Sequence, residues 1–96
     1  MYKLRPTKYF ARKYKQYKKR DSQLISQIRI TTKELRTNPF SSSLCTHKVN
    51  TSKFGITWSS RVTGDIRIIW DFDGDEINVI DLFDVGGHSG SKKVYK

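Results

Sequence analysis

The chain has 96 residues, 35% of them hydrophobic, and its 19 Lys/Arg against nine Asp/Glu give a formal net charge of +10. That length allows one domain with a modest core, helped by ten Phe and Tyr and two Trp, and the lone Cys45 excludes a disulfide framework. No segment reaches the roughly 20 apolar residues that span a bilayer, and no apolar stretch follows the basic start as in a signal peptide, so a soluble, cytoplasmic protein is expected.

The charge is unevenly placed. Residues 1–20 hold nine Lys/Arg and no acid, residues 21–54 five basic and two acidic, and residues 55–96 five basic and seven acidic. A positive field at one end of the chain suits an anionic partner: nucleic acid first, or an acidic protein that masks the surface. A basic helix face kept only for solubility has the same composition. Cys45, standing alone, is expected to be a small buried hydrophobe.

In chain order, Tyr2–Arg5 alternates as a short strand that Pro6 ends. Thr7 is placed to cap a helix over Lys8–Arg20, in which Phe10, Tyr14 and Tyr17 share one face. Those aromatics are expected in the core, with Lys8, Arg12, Lys15, Lys18 and Lys19 on the other faces. Asp21 or Ser22 caps a second helix to about Arg36, with Leu24, Ile28 and Leu35 as its apolar face and Ile25 on the flank; Asn38-Pro39 stops it. Nearly no loop joins the two helices, so they form an antiparallel hairpin.

Ser41–Ser43 reads as a loop and Leu44–Val49 as a possible short strand carrying His47. The period then becomes two. Ile56, Trp58 and Val62 alternate with Thr57, Ser59 and Arg61; after a turn at Thr63-Gly64-Asp65, Ile66, Ile68, Trp70 and Phe72 alternate with Arg67, Ile69 and Asp71. Asp73-Gly74 predicts a hairpin turn, and Glu76–Val85 a central strand interrupted by Asp81 and Asp84. The predicted fold is α+β: a small antiparallel sheet in the order strand-helix-helix-strand-strand-strand, with a two-helix hairpin packed on one face and the first strand at the sheet edge or beside the last strand.

The tail Val85-Gly-Gly-His-Ser-Gly-Ser-Lys-Lys-Val-Tyr95 concentrates chemistry. Glycines permit a sharp turn and close approach, His88 can exchange a proton near neutral pH, lysines attract phosphate, and Tyr95 offers a ring and a hydroxyl. On a basic protein this suits an RNA backbone. The bland alternatives are an exposed loop histidine, counter-charge lysines and a packing tyrosine.

Arg61-Val-Thr-Gly-Asp-Ile-Arg67, followed by Val85-Gly-Gly-His88 and Val94-Tyr95, resembles the RelE/ParE superfamily, small toxins of bacterial type II toxin–antitoxin pairs. The resemblance covers nearly the whole chain, residues 1–96 as one toxin domain. It implies a compact sheet with two helices on one face and an antitoxin partner that wraps the toxin. In the RelE branch it implies translation inhibition by a metal-independent endoribonuclease that cleaves mRNA on the ribosome, the substrate's 2′-hydroxyl attacking the adjacent phosphate to leave a 2′,3′-cyclic phosphate.

Such a reaction needs a base for the 2′-hydroxyl, an acid for the leaving 5′-oxygen, and cations for the phosphorane. No cofactor is expected, and no His/Cys/acid spacing matches a metal site that can be named. The resemblance assigns catalysis to His88, Arg67, Arg61 and Tyr95, with Arg67 the best phosphate clamp; Lys92 and Lys93, by their charge, and His47, where some relatives carry a histidine, are candidate substrate-binding residues. Without it, the favoured reading of Arg67 is a surface arginine paired with Asp65 or Asp71, and that of His47 a half-buried structural histidine. Where RelE carries strand lysines this chain has Thr57 and Ser59, so a histidine-based, YafQ-type version of the branch is the nearer pattern. The basic helix 8–20 would then lie on ribosomal RNA. The alternative within the superfamily is a ParE-like toxin that inhibits DNA gyrase without nuclease activity; an inactive relative is a third reading.

Overall fold

A computed structural model of the chain describes residues 1–87. The elements are β1 (Lys3–Pro6), α1 (Lys8–Arg20), α2 (Ser22–Thr37), a short 3-10 turn (Ser42–Leu44), β2 (His47–Thr51), β3 (Gly55–Arg61), β4 (Arg67–Phe72) and β5 (Val79–Gly86). The five strands form one sheet in the order β1-β5-β4-β3-β2. β2 to β5 make an antiparallel meander, and β1 pairs in parallel with β5, so the sheet is mixed. The helix hairpin supplies the crossover that a parallel neighbour requires.

Both helix starts are capped as the sequence predicts. The Thr7 hydroxyl accepts the Phe10 N–H and donates to the Leu82 carbonyl at 2.9 Å, so the cap also pins the helix start to β5. Asp21 alone joins the helices: its backbone N–H closes α1 on the Tyr17 carbonyl and its carboxylate caps α2 at Leu24.

The helix stripes bury Phe10, Leu24, Ile25, Ile28 and Leu35 against Ile68, Trp70, Ile80, Leu82 and Val85, with Tyr14 and Tyr17 packed at the margin. Trp70 is wholly buried, and its indole N–H donates to Ser60 at 2.8 Å, which is linked through Thr46 to the Pro39 carbonyl. That relay satisfies the polar atoms this wall of the core contains.

Three local expectations are corrected. The link between β4 and β5 is a six-residue loop, 73–78, not a two-residue turn at Asp73-Gly74, and β5 starts at Val79 rather than Glu76. The Asp73 carboxylate accepts the N–H groups of Asp75 and Glu76, Asn78 takes a left-handed φ of 63°, and Ile77 is 90% exposed. Side-chain-to-backbone bonding of this kind competes with strand pairing. The strand carrying His47 begins there and not at Leu44, because Leu44 lies in the 3-10 turn and Cys45 caps it at φ 48°. Cys45 is accordingly exposed rather than buried.

Against β4, β5 carries one extra residue: Ile69 is opposite Asp84 but Trp70 is opposite Leu82, leaving Phe83 in a bulge. The bulge keeps Leu82 and Val85 on the helix side while Asp84 turns to the other face. That second face carries Thr57, Ser59 and Arg61 of β3, Arg67, Ile69 and Asp71 of β4, and His47 of β2.

Candidate functional site

The β3–β4 hairpin sets the centre of this face. Its turn is closed by the Val62 N–H on the Ile66 carbonyl at 2.9 Å, and the Thr63 hydroxyl accepts the N–H groups of Asp65 and Ile66. The resulting register puts Arg61 directly opposite Arg67. Two guanidinium groups on one face of a hairpin can bind a single anion. Arg61 is exposed. Arg67 is half-buried, and its guanidinium donates to the Thr63 carbonyl at 3.0 Å and the Gly64 carbonyl at 3.3 Å, which fixes it over the turn.

On the other side of Arg67 stands Gly86 of β5, with no side chain. A Cβ on Gly87 would lie 2.7 Å from Asp65 Oδ2, so the close approach this glycine permits is to the hairpin turn. The last described residues, Gly86 and Gly87, thus lie against Arg67 and the β3–β4 turn.

His47 opens β2 opposite Ser59, on the face of Arg61 and Arg67. Its Nδ1 lies 2.8 Å from the Cys45 carbonyl. A carbonyl can only accept, so that nitrogen carries the proton and Nε2 is left for another partner. His47 is exposed rather than half-buried. The register thus sets His47, Arg61 and Arg67 on one face of the sheet. His88, Lys92, Lys93 and Tyr95 lie outside the described residues.

No family model matches the sequence, and no curated protein does. Solved structures do match. A YoeB/ParE toxin from Agrobacterium tumefaciens is 17% identical and superposes with a TM-score of 0.73 over 91% of this chain and 99% of its own. The YoeB dimer from Staphylococcus aureus is 17% identical with a TM-score of 0.72, covering 92% and 98%. The E. coli DinJ–YafQ complex is 17% identical with a TM-score of 0.70, covering 92% and 94%. The chain has the fold of these YoeB/ParE and YafQ toxins.

Two polar strand residues of this face, Thr57 and Ser59, are buried. Thr57 is 1% exposed and Ser59 0%. Among the described residues no hydrogen-bond partner is found for the Thr57 hydroxyl. The basic helix is open: Lys8, Arg12, Lys15, Lys18, Lys19 and Arg20 are exposed. Among the described residues no cluster of three His, Cys, Asp or Glu side chains is set to hold a metal ion, and no helix is long and apolar enough to cross a membrane.

Sequence reasoning missed one feature of this face. Lys13, expected only as one basic residue among many, reaches Asp84 at 2.7 Å, with the two side chains 12% and 8% exposed. Burial raises the Asp84 pKa above the ordinary carboxylate value, and Lys13 pulls it part of the way back. The signal was an acid inside an apolar strand, which needs a partner that only the fold identifies. Beside it Phe54, from the β2–β3 turn, stacks on Phe83 with ring centres 5.1 Å apart and meets Tyr9 edge-on, while Lys53 lies over the Tyr9 ring. Burial, helped by Asp84 and Asp65, also raises the Tyr17 pKa, so the phenol stays a donor at neutral pH.

Proposed function

We propose that the chain is the toxin of a type II toxin–antitoxin pair, one toxin domain over residues 1–96, and that it cleaves mRNA on the ribosome. The observation that carries this reading is the Arg61–Arg67 pair, opposed on one sheet face that also carries His47. The fold supports the coarser part: solved structures that share it include toxin–antitoxin complexes, DinJ–YafQ from E. coli and YoeB–YefM from Staphylococcus aureus.

Arg67, held over its turn, and Arg61 bind the scissile phosphate and stabilise the extra negative charge of the phosphorane. A base, His47 or His88, takes the proton of the 2′-hydroxyl as its oxygen bonds to phosphorus. The P–O5′ bond breaks, and the other histidine returns a proton to the 5′-oxygen. Tyr95 stacks on a base and orients the attacking group, and Lys92 and Lys93 supply counter-charge. The exposed cations of α1 rest on ribosomal RNA. A cognate antitoxin covers the same face and silences the toxin.

The test is primer extension on a reporter mRNA after brief induction in bacteria. Cuts inside translated codons are expected, and they should vanish in His88→Ala and Arg67→Ala with folding retained. Full toxicity and unchanged cuts in both variants would remove the assigned site. The burial of Thr57 and Ser59 favours a second reading, a ParE-like toxin that inhibits DNA gyrase by binding alone. Growth arrest with intact mRNA and induced DNA damage would select it.

A further inference from the structure

A groove of about 580 Å3 lies where the end of α1 and the start of α2 meet the β3–β4 turn. Its floor is apolar, formed by Leu24 and Ile66, and the Tyr17 ring makes a wall. Gln23 and Gln27 stand along it, four residues apart on one face of α2. Each amide offers two donors and one acceptor oxygen. Arg20, exposed at the last residue of α1, completes the rim. The acid in the lining, Asp21, is engaged in capping Leu24 at 3.0 Å.

Two further facts decide what fits. Thr63 lines the groove, and its carbonyl accepts from the Arg67 guanidinium at 3.0 Å, so one turn residue belongs to both the groove and the phosphate clamp. The surrounding surface is cationic: Lys18, Lys19 and Arg20 form the last turn of α1. A flat ring with polar edges, attached to a chain of negative charge, matches an apolar floor, an aromatic wall, paired amides and a basic rim.

We propose that this groove is a nucleobase subsite for the RNA strand whose phosphate Arg61 and Arg67 hold, with Gln23 and Gln27 reading the base edge and Arg20 its phosphate. The inference rests on the RNA-cleaving reading above and adds to it a source of sequence preference next to the cut. The base would reach the groove around the β3–β4 turn while its neighbour stays on the sheet face.

Sequencing the 5′ ends of cellular RNA after brief induction tests this. Wild type is compared with Arg20→Ala, a Gln23→Ala/Gln27→Ala double variant, and Gln27→Glu, which keeps the side-chain shape but exchanges donors for acceptors. In the double variant cleavage persists, and the preference for one base at a position beside the cut weakens by about tenfold, the discrimination expected of one well-placed bidentate contact. Gln27→Glu shifts the preference toward a different base rather than flattening it. Arg20→Ala lowers cleavage at all sites alike. Unchanged base preference in all three variants would overturn the subsite and leave the nuclease reading intact. A wild type that makes no cuts overturns both. Variants that cut with wild-type preference but no longer hold an antitoxin would make the groove a protein-docking surface instead.

Discussion

Asp84 interrupts a strand that is otherwise apolar, and its environment shows why it can stay. Burial works against its charge, and Lys13 at 2.7 Å compensates. A carboxyl whose folded pKa is raised favours the folded state below the ordinary carboxylate range. That contribution is lost as pH rises through the raised value, and at neutral pH the charge depends on Lys13. Lys13→Met should therefore destabilise the protein by about 3 kcal/mol in urea denaturation at pH 7, because it strands a buried charge. The loss should shrink as pH falls through the raised Asp84 pKa, where the neutral acid needs no cation. An equal loss at both ends of that range would mean that Lys13 acts by packing alone. Arg67 is a similar case, since its hydrogen bonds to Thr63 and Gly64 hold the β3–β4 turn as well as orient the guanidinium. Activity lost in Arg67→Ala is attributable to the phosphate only if Arg67→Lys, which keeps the charge and loses the fork, restores part of it.

At the scale of elements, the helix hairpin is the most predictable part of the molecule. Aromatic spacing, a threonine cap and a single-residue joint at Asp21 are local signals, and α1 begins and ends at the residues they mark. The cap has a tertiary role too, since the Thr7 hydroxyl both receives Phe10 and bonds Leu82. Thr7→Ala should lower stability by about 1–2 kcal/mol, whereas Thr7→Ser, which keeps the oxygen, should lose far less. Chemical denaturation of both variants checks this; equal losses would place the effect in the methyl group. The β4–β5 connection was less legible. Asp73-Gly74 is a strong turn signal, yet the Asp73 carboxylate gathers two later N–H groups and extends the loop to Asn78.

For the whole molecule, the decisive property is where charge sits relative to the sheet face. The cations of α1 are exposed apart from Lys13, and the acids of the C-terminal half are partly consumed: Arg5 takes Asp73 and Asp81, and Lys13 takes Asp84. Positive surfaces attract nucleic acid in a salt-dependent way, and the proposed ribosomal contact of α1 can be tested on that basis. Reversing Arg12, Lys15 and Lys19 to Glu, all exposed, should reduce cosedimentation with ribosomes and delay growth arrest while leaving the melting transition nearly unchanged. Undiminished cosedimentation at moderate salt would show that α1 does not carry the contact.

Composition, periodicity and capping determined the elements, the apolar faces and the α+β class, because each depends on residues within a few positions of one another. Arg61 and Arg67 were legible as a pair for the same reason: a tight turn places its flanking residues opposite each other. The tertiary structure alone decided the rest. It set β1 beside β5, which local pattern left open between two positions, and inserted the bulge at Phe83 that turns Asp84 to the open face. It brought Lys13 to Asp84 across 71 positions of chain and set His47 opposite Ser59 on the arginine face. These are long-range pairings, chosen by how the whole sheet and hairpin share one core, and no short window of sequence contains them.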